Sequence, residues 1–153
     1  MTTTKERTAI FLTSQSWLLW AILSAGFAAL TAIFAKVGVE GINSDLATFF
    51  RTIVIIVVLG LLLAATGKFQ PIGKIAPRTW VFLALSGLAT GASWLCYFRA
   101  LKVGDAVRVA PIDKLSVVLV AIMGVLFLGE HLSMRGWLGI AFIGTGAVLV
   151  ALA

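Results

Sequence analysis

Five runs of apolar residues, each about as long as a bilayer is thick, govern what this sequence can become. Crossing hydrocarbon as an α-helix takes about 20 apolar residues at 1.5 Å rise each. Runs of that length begin near Trp17, Asp45, Trp80, Asp105 and Gly136. Of the 153 residues, 61% are hydrophobic and 12% charged. A soluble domain is nearer half apolar and a quarter charged. The chain therefore reads as an all-α integral membrane protein with five transmembrane helices. Lipid leaves no cheaper way to satisfy the backbone.

The net charge of +6 does not point to nucleic acid. The basic residues fall mostly between apolar runs, where they orient a membrane protein, and no basic patch interleaved with aromatics lies in a soluble segment. Cys96 is the single cysteine. It can form no intrachain disulfide, and it reads as a small buried residue. Lys5 and Arg7 precede the first apolar run, which is too long for a signal-peptide core, so a retained first helix is expected.

Residues 1–16 form a polar segment, and residues 17–152 a single five-helix domain. Helix one runs from about Trp17 to Val37 and stops near Gly38 and Gly41. Asn43, Ser44 or Asp45 caps helix two, which continues to about Thr66 with Gly67 as its stop. In the basic loop that follows, KFQPIGKIAPRT, Pro71 and Pro77 prevent helix continuation. Helix three spans about Trp80 to Leu101. Gly104 and Asp105 supply a stop and a cap, and helix four then runs to Leu128 with a bend expected at Pro111. Gly129 ends it, Ser133 caps helix five, and helix five covers Gly136 to about Leu152.

An odd number of spans places the termini on opposite sides of the membrane. With the N-terminus in the cytoplasm, Lys5, Arg7, Lys68, Lys74, Arg78 and Arg135 lie inside. Lys36, Arg99, Lys102 and Arg108 lie toward the other face. The positive-inside rule favours this orientation by a small margin, small enough for some copies to insert inverted.

Charge inside the spans carries the functional signal. Ions at membrane depth cost roughly 3 kcal/mol each on insertion scales and normally face a bundle interior or a wet cavity. Arg51 lies two turns into helix two. Asp113 and Lys114 lie about 12 Å into helix four. Lys36 and Arg99, nearer the helix ends, are expected to snorkel to the interface. The deeper three suggest a cavity open to the face opposite the N-terminus, lined mainly by cations with one acid. Adjacent helical positions diverge by about 100°, so Asp113 and Lys114 are expected to face different ways. Arg51 has Thr48 and Thr52 beside it. An Arg51–Asp113 clamp between helices and direct substrate contact are both open.

Helix three carries Ser86, Thr90, Ser93 and Tyr97 at helical spacing, a wet stripe, with Gly87, Gly91 and Trp94 beside it. Trp17 and Trp20 suit an interfacial belt. Gly136, Gly139, Gly144 and Gly146 assign helix five to helix packing and an oligomer interface. His131 has no metal-ligand spacing around it. With no catalytic grouping, phosphate loop or cofactor motif, neither an enzyme nor a bound cofactor is expected.

These residues resemble a known family. YFRALKVGDAVRVAPIDKLSVV, followed by LFLGEHLS, is similar to the EamA domain of the drug/metabolite transporter superfamily. WLGIAFIGTGAVLV resembles that domain's last helix. The likeness covers Trp17 to Leu152 and is most specific at Ala100–Gly104, Ala110–Pro111 and Leu128–Glu130. It implies a half-size plasma-membrane (inner-membrane) carrier that moves a small metabolite by alternating access. The partners it implies are membrane lipid, a small-molecule substrate and a second copy. Antiparallel pairing is favoured because inverted units mimic two-unit relatives. A parallel dimer stays possible. Small multidrug exporters place an acid in helix one, and this helix one has none. Arg51 and Lys114 would repel lipophilic cations. The expected substrate is anionic or zwitterionic, contacted by Arg51, Thr90, Ser93, Trp94, Tyr97, Asp113 and Lys114, with Asp113 the acid available for proton coupling. The alternatives are a non-transporting subunit paired with a related chain, and a flippase for lipid-linked substrates.

Overall fold

The computed structural model describes residues 4–71, 73 and 75–153, with the backbone alone for residues 4–16. Residues 1–3, 72 and 74 lie outside the described residues. With them fall the start of the polar segment and one cation of the charge count, Lys74. The helices are α1 (Thr4–Gly38), α2 (Ser44–Ala65), α3 (Pro77–Val103), α4 (Ala106–Asp113), α5 (Ser116–Leu128) and α6 (Met134–Leu152). They supply five stretches long and apolar enough to cross a membrane: Trp17–Gly38, Ser44–Ala65, Pro77–Val103, Ala106–Leu128 and Met134–Leu152. The all-α, five-span architecture is the one the apolar runs specify, with the fourth span built from two helices.

The chain divides into two units, Met1–Ala35 and Lys36–Ala153. The first is a single helix, which starts at Thr4 rather than at Trp17. Its apolar stretch nonetheless begins at Trp17. The second unit holds the remaining spans. There α2 packs on α3, α3 on α4, and both α4 and α5 on α6.

Local chemistry explains most helix ends. Asn43 Oδ1 accepts from the Asp45 amide at 2.8 Å and the Leu46 amide at 3.3 Å, which occupies free donors at the start of α2. Helix α3 begins at Pro77, earlier than Trp80, because a proline at the first helical position forfeits only a donor that has no partner there. Gly104 ends α3, and its amide reaches the Ala100 carbonyl at 2.8 Å. Asp105 precedes α4 with extended backbone, but its side chain makes no capping bond, contrary to expectation. Gly129 closes α5 at φ +67°, a left-handed conformation that glycine adopts without a Cβ clash. Ser133 Oγ accepts from the Gly136 amide at 3.2 Å at the start of α6.

The fourth span is interrupted by a tightened turn at Lys114 and Leu115, both still right-handed helical. Pro111 has no N–H to give the Val107 carbonyl. Beyond it the ladder tightens to three-residue closures: Lys114 N to Pro111 O at 3.1 Å, Leu115 N to Ile112 O at 3.0 Å, and Val118 N to Leu115 O at 3.0 Å. Helix α4 ends at Asp113, and α5 restarts at Ser116.

Burial in the second unit is concentrated at one end. Leu101 (0% exposed), Val39 (1%) and Phe98 (3%) are enclosed together with Ser44, Ala47 and Thr48. Three cations fasten the same end. Lys36 Nζ donates to the Leu101 carbonyl at 2.8 Å and the Gly104 carbonyl at 2.9 Å. Lys102 Nζ donates to the Ile42 carbonyl. Arg99 grips Asp45 through Nε at 2.9 Å and Nη2 at 2.7 Å. Lys36 and Arg99, expected to reach the interface, also make these bonds within the chain. The carbonyls that end α3 have no helical partner, and an ammonium within reach satisfies them. Elsewhere the spanning windows of this unit are only 6% buried, leaving large apolar faces for lipid or another chain.

Candidate functional site

Arg51 stands on α2 about 10 Å from its start, and the packing of α2 on α3 brings it to two aromatic rings. Its Cζ lies 4.1 Å from the centroid of Trp94 and 5.5 Å from that of Phe98. Trp94 and Phe98 are four residues apart on α3, hence on one face. No hydrogen bond or ion pair links Arg51 to another group among the described residues. Thr48 and Thr52 flank it but direct their hydroxyls inward, donating to Ser44 O at 2.9 Å and Thr48 O at 2.8 Å. The expected polar patch around Arg51 is thus an aromatic one. Phe98 was missed in the sequence. Its spacing from Trp94 was the available signal, and nothing in a single chain says which helix faces that pair.

Asp113 belongs to a second cluster. It lines an open hollow of about 220 Å³ between α3 and α4, together with Ser93, Cys96, Tyr97, Ala100, Val109 and Ile112. A liquid water occupies about 30 Å³, so the hollow accommodates several waters or part of a small solute. Of the sequence-predicted residues, Ser93, Tyr97 and Asp113 come together here. Tyr97 adjoins Phe98 in the chain, so the two clusters are neighbours along α3. Thr90 is exposed one turn from Ser93 and does not line the hollow.

Two sequence expectations need correction. Lys114 Nζ contacts Asp113 Oδ2 at 3.1 Å, although adjacent helical positions should diverge. Helix α4 stops at Asp113, so Lys114 lies in the turn and its long side chain folds back. No Arg51–Asp113 ion pair forms among the described residues. Cys96, expected to be buried, is exposed and faces the hollow.

Helices α5 and α6 form a larger, open apolar groove of about 600 Å³, lined by Leu115, Val118, Leu119, Gly144, Thr145, Val148 and Leu149. Gly144 admits Val118: a Cβ there would lie 3.3 Å from Val118 Cγ2. Gly87 and Gly91 have nothing within 4 Å of an added Cβ, so no other backbone among the described residues approaches them.

Five apolar spans, one of them interrupted at an acid–base pair, make this a multi-pass α-helical membrane protein. Residues 15–152 match the EamA-like transporter family, and the chain belongs to that family. It is 68% identical over 138 residues to a protein of Sinorhizobium sp named "Uncharacterized transporter in cobO 3'region". The match takes in 90% of this chain and 98% of that relative. No solved structure matches. The resemblance drawn from the Ala100–Glu130 motifs is confirmed over the length at which it was drawn.

Proposed function

We propose that the protein is a carrier for a small anionic or zwitterionic metabolite. It works by alternating access as a dimer, antiparallel by preference, in the inner (plasma) membrane with the N-terminus cytoplasmic. Residues 17–152 form the transporting domain, with residues 1–16 a polar extension and no catalytic role for the chain. One observation carries the substrate class: Arg51 lies inside a span with its guanidinium against aromatic rings and no acid beside it. A cation so placed is costly in hydrocarbon and favours a site that anions visit. Asp113, beside Ser93 and Tyr97 in the α3–α4 hollow, is the group available for a substrate ammonium or a coupling proton. Lys114 holds it between visits. Thr90 and Trp94 extend the same face of α3.

Uptake by proteoliposomes tests this, with labelled organic acids and amino acids as the solutes. Arg51→Ala should lower uptake of the carried solute at least tenfold, and Asp113→Asn should remove its dependence on a pH gradient. Unchanged uptake of every solute in both variants overturns the assignment. The open apolar groove between α5 and α6 favours a second reading, a flippase for lipid-linked substrates. Competition by isoprenyl phosphates, with none by soluble acids, would establish that reading instead.

A further inference from the structure

The cations of the spans are not equally available. Lys114 is paired with Asp113 at 3.1 Å, and Arg99 with Asp45 at 2.7 Å. Lys36 spends its donors on the Leu101 and Gly104 carbonyls, and Lys102 on that of Ile42. Setting aside the first turns of the helices, Arg51 is the one spanning cation with no hydrogen-bonding partner among the described residues.

Its contacts are with ring faces. A guanidinium is planar and weakly hydrated, so an aromatic face can cover one of its sides while its five N–H donors remain directed outward in the plane. The Trp94 ring centroid lies 4.1 Å from the guanidinium carbon, close enough for such cover. Phe98, 3% exposed, has its ring centroid 5.5 Å from the same carbon. Trp94 itself donates to no group among the described residues. The molecule also shows what such a fork does when an acid is near, since Arg99 takes both oxygens of Asp45 through Nε and Nη2.

We infer that Trp94 and Phe98 are positioning residues, which hold the Arg51 guanidinium flat so that its edge takes a single planar carboxylate in two parallel hydrogen bonds. This rests on the anionic or zwitterionic reading above and deepens it. One uncompensated positive charge matches one negative charge. A doubly charged phosphate would require a second free cation, and the neighbouring ones are engaged. Lysine cannot substitute, because an ammonium is a point charge with neither the edge nor the stacking face.

The test uses the full chain purified in detergent. Thermal unfolding is followed at constant ionic strength with acetate, benzoate, glycine, inorganic phosphate and methylammonium as probes. At least one carboxylate should raise the melting temperature of the wild type, and phosphate and methylammonium should not. For the carboxylate that acts most strongly, Arg51→Lys should weaken the apparent affinity at least tenfold. Trp94→Leu should weaken it to a similar degree, whereas Trp94→Phe, which keeps a ring face, should stay within threefold. Arg51→Lys also covers the case in which Trp94→Leu does not fold. If no carboxylate stabilises the wild type, the anionic reading fails and takes this inference with it. If a carboxylate binds and Arg51→Lys binds it equally well, or Trp94→Phe loses as much as Trp94→Leu, the reading survives and the flat-fork inference is overturned.

Discussion

Cys96 ties the α3–α4 hollow to a measurement. It shares that lining with Ser93, Tyr97 and Asp113 and is exposed. On a spanning helix, an exposed thiol faces either water or lipid, and the two differ in which reagents arrive. The ion pair of Asp113 and Lys114 at the same place argues for water, since hydrocarbon would charge several kcal/mol for unsolvated ions. A membrane-impermeant cationic methanethiosulfonate should therefore label Cys96 in intact proteoliposomes, with Cys96→Ala as the unlabelled control. Labelling should reduce uptake of the carried solute several-fold. Reaction only with a lipid-soluble maleimide would mean that this face of α3 looks into the bilayer.

Residue by residue, sequence was informative where chemistry is local. Asn43, Ser133 and Gly129 were recognisable because a cap acts within three or four positions of itself. The partners of Lys36 and Arg99 were not, since they lie 65 and 54 positions away or farther. Asp45 looked only like a capping residue, yet it serves as the acceptor for Arg99. Arg51 was identified as a deep cation from the sequence. Its platform was not, because the register of α2 on α3 decides whether Trp94 and Phe98 meet it.

At the scale of elements, the apolar runs showed where every span lies, but a run cannot show that one span is two helices. The interruption in the fourth span depends on a donor that Pro111 lacks and on the shortened closures from Lys114 to Val118. Its consequence is positional: ending α4 at Asp113 lets Lys114 fold back and neutralise that acid. Pro111→Ala restores the donor to the Val107 carbonyl. The difference between proline and alanine in a helix interior is about 3 kcal/mol, an upper bound here because α4 is short. The variant should melt higher in detergent. It should also carry its solute several times more slowly, because a continuous helix turns Asp113 and Lys114 apart. A variant that is neither more stable nor slower would show that the break is set by the packing of α4 and α5 on α6 rather than by the proline.

For the whole molecule, orientation and packing compete for the same cations. If the five apolar stretches cross in turn, the sequence distributes its basic residues six to four between the two sides, Lys5, Arg7, Lys68, Lys74, Arg78 and Arg135 against Lys36, Arg99, Lys102 and Arg108. Three of those four fasten helix ends: Lys36 to α3, Lys102 to the Ile42 carbonyl, and Arg99 to Asp45. A fold that needs cations there cannot also have a strong positive-inside bias. A weak bias admits both orientations, which is the condition an antiparallel pair requires. Reporter fusions at each terminus should then give signals from both sides of the membrane. Two extra lysines in the Lys68–Pro77 loop should fix the N-terminus inside, and two at Glu40–Asn43 should fix it outside. Each fixed variant alone should lose most of its uptake in vesicles, and co-expression of the two should restore it. Full uptake by either fixed variant alone would mean that the working pair is parallel, and that Lys36, Arg99 and Lys102 serve only to hold the helix ends together.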